Sequence, residues 1–322
     1  MPAFASLILV TLLLWVAEYA YTQFGRKRGF LEPVTFRSTH REANAVRAGG
    51  FIFPVAVIAA WFCGFRAPWF IGAVIAIGAV SMADDLHPLP DWLRLLVQVG
   101  AMVAVCIQLG ASNLWMWGGI VLLGVALMNA FNFMDGINGM TALYGASVVV
   151  PLIIIGGWLP ANPIASVLPF MLPPLLVFGW CNIRRKPICF AGDAGAVSIG
   201  LVIAAVISGY LCGNTGAWGL SEFLFLLSLV LVYGVDTALT LLMRIAKGEN
   251  IRQAHRSHLY QLLVNEAGYG PVAVSAVYSL VQLLVDAAMI YCAIYGVVVP
   301  GFILVTALLC ADYLYIRRRL GA

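Results

Sequence analysis

The run Leu114-Trp115-Met116-Trp117-Gly118-Gly119-Ile120-Val121-Leu122-Leu123-Gly124-Val125-Ala126-Leu127-Met128 leads without a charge into Asn129-Ala130-Phe131-Asn132-Phe133-Met134-Asp135-Gly136-Ile137-Asn138-Gly139-Met140. About 20 apolar residues suffice for a helix to cross the hydrocarbon of a bilayer, so the first part reads as a membrane span. In the second part Asn129 and Asn132 are three apart and share a helix face, with Asp135 one turn further on. The polar groups therefore sit where a membrane helix meets water. Amides and a carboxylate at that depth suit a hydrated cation, or a phosphate and a base edge, better than they suit lipid. Asp135-Gly136 and Asn138-Gly139 are also ordinary turn pairs, but a turn leaves Asn129 and Asn132 unexplained.

The rest of the chain agrees with a membrane setting. Its 322 residues are 62% hydrophobic and 10% charged, and the mean hydropathy is +0.97. No ordinary soluble domain has that balance. About eleven apolar segments long enough to span can be laid out, near 3–24, 48–65, 68–86, 93–111, 114–134, 139–157, 163–181, 194–213, 220–243, 272–294 and 297–315. This predicts an all-α integral membrane protein, one polytopic domain over 1–322, with a retained first anchor. Every Lys and Arg except Arg66 then falls on one side. The positive-inside rule puts the N-terminus outside, the C-terminus in the cytoplasm, and cytoplasmic loops near 25–47, 87–92, 135–138, 182–193 and 244–271. All of the Trp residues but Trp15 lie near segment ends, as an aromatic belt would have them. The seven cysteines show no ligand spacing and read as small hydrophobes, with no disulfide framework or zinc site implied.

Four further stretches on that face hold polar chemistry. Arg47 precedes Ala48-Gly49-Gly50 in a long basic connection, which reads either as an anchor for anionic lipid or as a phosphate contact where the backbone can be approached closely. Asp84 and Asp85 close an apolar helix, and adjacent carboxylates favour a divalent cation or proton transfer over a merely solvated end. Asp193, among small residues in Gly192-Asp193-Ala194-Gly195, starts a helix. It is a plain N-cap or a place where converging backbone N–H groups would receive a metal-bound phosphate. His255-Arg256-Ser257-His258 is weak as a zinc site, lacking a third ligand, and apt as a cationic pocket for a pyrophosphate. Asp236 falls within an apolar run near the same face and could support the site. Asp286 and Asp312 suit interhelical hydrogen bonding.

Taken in order, His40…Arg47-Ala48-Gly49-Gly50, Asp84-Asp85, Asn129-x-x-Asn132-x-x-Asp135-Gly136-x-Asn138-Gly139, Gly192-Asp193-x-Gly195 and His255-x-x-His258 resemble the polyprenyl-phosphate N-acetylhexosamine-1-phosphate transferase family. Each motif alone is weak; together, ordered on one face, they are specific. The resemblance implies transfer of a sugar 1-phosphate from a UDP-N-acetylhexosamine to undecaprenyl or another polyprenyl phosphate, with UMP released and Mg2+ or Mn2+ required. It implies a multi-pass protein of the inner (plasma) membrane with its active site at the cytoplasmic face. By the same carry-over Asp84 and Asp85 are the catalytic pair, one acting as base or organising the metal. Asp193 and Asn132 would ligate the metal, and Asn129, Asp135 and Asn138 would face the nucleotide. Arg47, Arg94, His255, Arg256 and His258 would contact phosphates. A homodimer is compatible with this picture; nucleic acid has no place in it. Two departures stand out. Asn138 occupies a position where many bacterial members have Asp, which removes a carboxylate role there. The His-Arg-Ser-His loop replaces a His triplet, which points away from a muramoyl-pentapeptide donor and toward initiation of O-antigen or another surface polysaccharide.

Two rivals belong to other classes. A transporter predicts polar groups at the bilayer midplane and broken helices in repeated halves. An intramembrane aspartyl protease would pair Asp135 with Asp193.

Overall fold

The computed structural model describes residues 4–32, 45–213, 219–250, 253 and 255–321. His40 of the first motif lies outside them. The described residues form helices joined by short turns, with isolated backbone bridges in place of strands. They are α1 (Phe4–Arg28), α2 (Ile52–Phe62, entered through the 3-10 turn Gly49–Phe51), α3 (Pro68–Leu86), α4 (Asp91–Leu109), α5 (Leu114–Met134) and α6 (Gly145–Ile155, entered through the π-turn Met140–Tyr144). Next come α7 (Leu172–Asn182, preceded by the 3-10 stretch Ala165–Met171), α8 (Gly192–Gly213), α9 (Leu220–Ser228) and α10 (Leu231–Ala246). The last are α11 (Leu259–Asn265), α12 (Pro271–Ile294) and α13 (Val298–Arg319).

Local chemistry sets the ends. Pro68 and Pro271 start α3 and α12, where a missing N–H costs nothing. The Asn113 side chain accepts from Met116 N at 2.9 Å and caps α5. Pro88 and Pro90 prevent α3 from continuing. Gly110, at φ 63°, closes α4 in the left-handed conformation.

Every expected apolar segment has a helical counterpart, but not every one is a full span. Among the described residues, eight helices are long and apolar enough to cross a membrane, and a ninth crossing results if α9 and α10 are counted as one span bent by 87°. Gly49–Phe62 and Met140–Ile155 are shorter. Hydropathy averages over a window and cannot see where a 3-10 or π turn or a bend interrupts the regular α-helix. The expected 244–271 loop likewise contains its own short helix, α11.

Helix α8 is the centre. In its most apolar stretch 94% of residues are buried, against 6% for α13 and 17% for α1. Its small residues let neighbours come close: a Cβ on Gly200 would stand 2.9 Å from Met128 Cα of α5. Without a hydrophobic drive between helices in lipid, such close backbone approach is what holds a bundle together. The bend between α9 and α10 frees backbone groups, and Gln282 of α12 takes them. Its Oε1 accepts from Val232 N at 3.1 Å and its Nε2 donates to Ser228 O at 2.9 Å.

Candidate active site at the start of α8

Residues 45–50 are zippered to 188–191. Val46 N donates to Ile188 O, Phe190 N to Val46 O, Gly49 N to Phe190 O and Gly50 N to Ala191 O, at 2.8–3.0 Å. This ladder carries Arg47 to the mouth of α8. Arg47 Nε binds Glu32 Oε2 at 2.8 Å, its Nη1 donates to Asp85 O at 3.1 Å, and its carbonyl accepts from Tyr21 Oη at 2.8 Å.

The paired aspartates have separate tasks. Asp85 accepts from the backbone N–H groups of Asp193 and Ala194, both at 2.9 Å, one on each carboxylate oxygen. It thereby caps α8 from another helix. Gly192, at φ +65°, is required there twice over, since a Cβ would meet the Asp85 carboxylate at 2.5–2.7 Å. The expectation that these N–H groups welcome a phosphate is corrected: Asp85 already uses them. Asp84 turns the other way, accepting from Leu89 N at 2.6 Å and from Arg94 Nη1 at 2.8 Å.

Arg94 is shared among three carboxylates. Beyond Asp84 it reaches Asp193 Oδ2 at 3.2 Å and Asp91 Oδ1 at 2.5 Å. Asn132 Nδ2 donates to the other Asp193 oxygen at 2.7 Å, which leaves its own carbonyl oxygen as an acceptor. Four elements thus converge: the end of α3, the start of α4, the end of α5 and the start of α8. Their donors are all oxygens of Asp84, Asp193 and Asn132, a set suited to a hard divalent cation. A cationic group already bridges two of them.

Asp135 lies at the edge of this cluster and bonds to the Thr141 hydroxyl. Burial pushes its carboxyl well above the usual carboxylate range; the Thr141 bond opposes this, and the charges of Asp85 and Asp193 add to the rise. Asn129 sits one turn deeper, where its Nδ2 donates to Gln98 Oε1 at 2.7 Å and to Val125 O at 2.8 Å. It ties α5 to α4.

Asn138 is a staple. Its Nδ2 donates to Arg184 O at 2.9 Å, while its carbonyl accepts from Ser275 Oγ at 2.8 Å, and it is buried. Replacing it with Asp would set a carboxylate against a carbonyl oxygen. We expect Asn138→Asp to cost about 1–3 kcal/mol. A thermal melt in detergent should drop by several degrees, and an unchanged melt would refute this structural role.

The His-Arg-Ser-His loop is anchored by a carboxylate of its own. His258 Nδ1 pairs with Asp236 Oδ1 at 3.1 Å, and Leu259 N, Thr240 Oγ1 and Tyr278 Oη all donate to the same carboxylate. An acceptor at Nδ1 fixes the proton there, leaving Nε2, which is buried with no partner. Arg317 of α13 donates to Ser257 O at 2.9 Å and anchors the loop. Tyr260 Oη donates to Phe133 O at 2.9 Å, and the His258 ring lies 6.3 Å from that of Phe133. The loop therefore docks on the turn that follows Asn132. Arg256 stands at its exposed edge, 3.9 Å from Glu266.

His255 is no cation at neutral pH. Burial, with His258 and Arg244 nearby, lowers its pKa from 6.5 to about 4, and its Nδ1 accepts from Ser257 N at 3.3 Å. A depressed His pKa means the unfolded chain binds the extra proton first. Stability from this residue is full above pH 6.5 and is lost as pH falls toward 4. Histidine C2–H exchange read by mass spectrometry should place the His255 midpoint near 4; a midpoint at the ordinary value would overturn this. Any contact of His255 with a diphosphate at neutral pH is then a neutral hydrogen bond.

A sequence profile of glycosyl transferase family 4 matches residues 67–210. Over that segment, a little under half of its length, the chain is similar to this family. The matched segment runs from α3 through most of α8 and includes Asp84, Asp85, Arg94, Asn132, Asp135 and Asp193, but not Arg47 or the histidine loop. Among curated proteins, the chain is 26% identical over 241 residues to decaprenyl-phosphate N-acetylglucosaminephosphotransferase of Mycolicibacterium smegmatis, covering 68% of this chain and 55% of that protein. It is 32% identical over 127 residues to phospho-N-acetylmuramoyl-pentapeptide-transferase of Deinococcus radiodurans, 39% of this chain and 34% of the other. It is 26% identical over 270 residues to undecaprenyl-phosphate alpha-N-acetylglucosaminyl 1-phosphate transferase of Escherichia coli, 76% of this chain and 69% of the other. The alignments thus span between a third and just over two thirds of these relatives.

Proposed function

We propose that this protein transfers an N-acetylhexosamine 1-phosphate from a UDP-sugar to a polyprenyl phosphate in the plasma membrane, starting a surface glycan such as O-antigen. The observation that carries the reading is the convergence of Asp84, Asp193, Asn132, Arg94 and Arg47 around the start of α8, at the end of an apolar bundle. A lipid phosphate lying at the interface needs a site at that depth. The names of the relatives, which pair polyprenyl phosphates with N-acetylated sugars, support the same substrates.

In this reaction an oxygen of the lipid phosphate attacks the β-phosphorus of the UDP-sugar, the bond to the bridging oxygen breaks, and UMP leaves with the electron pair. Phosphoryl transfer asks mainly for positioning and charge neutralisation. The acceptor is already an anion, so a single in-line displacement needs no strong base. Mg2+ or Mn2+, held by Asp193 and Asn132 with Asp84 across Arg94, would neutralise the diphosphate. Arg94 and Arg47 supply fixed positive charge, with Arg47 oriented by Glu32. Asp85 keeps the first turn of α8, and hence Asp193, in place. Asp135 would face the nucleotide, and the histidine loop docks on the Phe133–Gly136 turn with the buried His258 Nε2 left without a partner.

The features that would favour a transporter have a structural account, because the buried Gln282 satisfies the broken α9–α10 backbone and also donates to Asp286 at 2.7 Å. An aspartyl dyad is disfavoured, since Asp135 bonds Thr141 and Asp193 bonds Asn132 and Arg94. The decisive assay is UMP release by the detergent-purified protein with undecaprenyl phosphate and a panel of UDP-N-acetylhexosamines, with and without EDTA. Release that needs both the lipid and the divalent cation supports the proposal, and the preferred donor names the sugar. Absence of release with every donor would overturn it.

A further inference from the structure

A second polar cluster lies away from these carboxylates, inside the bundle. Glu18 of α1 is 1% exposed, although it follows an uncharged, largely apolar run from Phe4 to Ala17. Cys189 Sγ approaches its Oε1 at 2.9 Å, while Oε2 is buried with no partner. Cys181, in the last turn of α7, completes the group. A carboxylate oxygen of Glu18 and the two sulfurs all lie within 4.8 Å of one another, and both thiols are free and buried. The backbone makes room for this: a Cβ on Gly49 would stand 2.5 Å from Cys189 Sγ and 2.9 Å from Glu18 Oε1.

A carboxylate inside a membrane helix is costly unless its lone pairs are met. Here one oxygen has a single thiol contact and the other has nothing. Two thiolates and a carboxylate using both oxygens make a four-donor S2O2 set, which suits a borderline cation that tolerates tetrahedral geometry. The hard oxygen set around Asp193 would not select for sulfur-binding metals. Hence we propose that Glu18, Cys181 and Cys189 form a structural site for a thiolate-binding divalent cation of the zinc class. Binding displaces the thiol protons, and the carboxyl proton if present, to solvent, with no change of oxidation state. The ion would join α1, the end of α7 and the 188–191 ladder, four residues before Asp193. This inference does not depend on the reaction proposed above.

The test uses the full chain purified under reducing conditions, washed with excess Mg2+ so that oxygen sites hold no zinc. Zinc by elemental mass spectrometry should be about one equivalent per chain and fall at least tenfold in Glu18→Gln, Cys181→Ser and Cys189→Ser. Cys63→Ser, at an exposed position, should leave it unchanged. Cobalt(II) added to metal-stripped wild-type protein should give a sulfur-to-metal charge-transfer band, and zinc should raise the melting temperature. The cobalt band needs no variant, so misfolding of a mutant cannot decide the matter. No such band, a band that survives in Cys181→Ser and Cys189→Ser, or a Cys181–Cys189 disulfide in the isolated protein would each overturn the site.

Discussion

Replacing Asp193 with Asn is expected to lower turnover by about a hundredfold to a thousandfold while the protein still extracts and melts as the wild type does. The substitution keeps size and shape. Asn132 can still donate to the new side-chain oxygen, and Asp85 still holds the two backbone N–H groups. What disappears is the negative charge that faces Arg94 and would face a divalent cation. Asp85→Asn is a less clean probe, because an amide NH2 would oppose an N–H donor and uncap α8, at a cost of about 1–2 kcal/mol. The measurement is UMP release per folded protein for both variants, alongside a melt. Near-wild-type turnover by Asp193→Asn would sink the assignment of the site, whereas a lowered melt in that variant would show that the residue acts through folding.

Gly50→Ala should be the most damaging substitution that touches no polar side chain. A Cβ there would stand 2.7 Å from Ala191 O and 2.8 Å from Gly195 N, and it would also strike Gly195 Cα. All of these are backbone atoms, so no side-chain rotation relieves the clash. Either the 45–50 ladder parts from α8 or α8 shifts against α5. Overpacking of this kind costs about 1–3 kcal/mol. Because the displaced backbone carries Arg47 on one side and Asp193 on the other, turnover should fall by more than about tenfold, as small misplacements at a reacting centre do. Gly72→Ala is the matched control, since a Cβ there meets nothing within 4 Å. Equal activity of the two variants would refute the argument.

How much of this was legible in the sequence depends on the range of the interaction. Asp84, Asp85, Arg94, Asn132 and Asp193 stand out because charged or amide groups at the ends of apolar runs have few reasons to be there, and the structure brings their ends together. Their individual partners do not show in a local pattern. Asp85 caps a helix that begins more than a hundred residues later, and Asn138 reads as a nucleotide contact until Arg184 O is seen beside it. Tyr260 carries no signal as a tyrosine beside a polar loop, yet it docks that loop on Phe133. The cysteines look inert because ligand spacing is a local criterion, and Glu18 meets Cys189 across 171 residues. The eleven apolar segments do not become eleven long straight helices for a related reason, since the 3-10 entry to α2, the π-turn and the α9–α10 break shorten or bend segments whose average hydropathy is unaffected.

The ladder between 45–50 and 188–191 also has a consequence for biogenesis. Arg47 and the glycine pair leave the ribosome long before Ile188 and Phe190 exist to receive their hydrogen bonds. At about 5–20 residues per second the wait is on the order of ten to thirty seconds. During that time the segment after α1 has donors and acceptors but no partner, while α3, α4 and α5 are inserted. The polar pocket is therefore assembled late, when α8 joins helices made before it, and a chain that stalls before α8 would hold Arg47, Asp84, Asp85, Arg94 and Asn132 without the Asp193 they gather around.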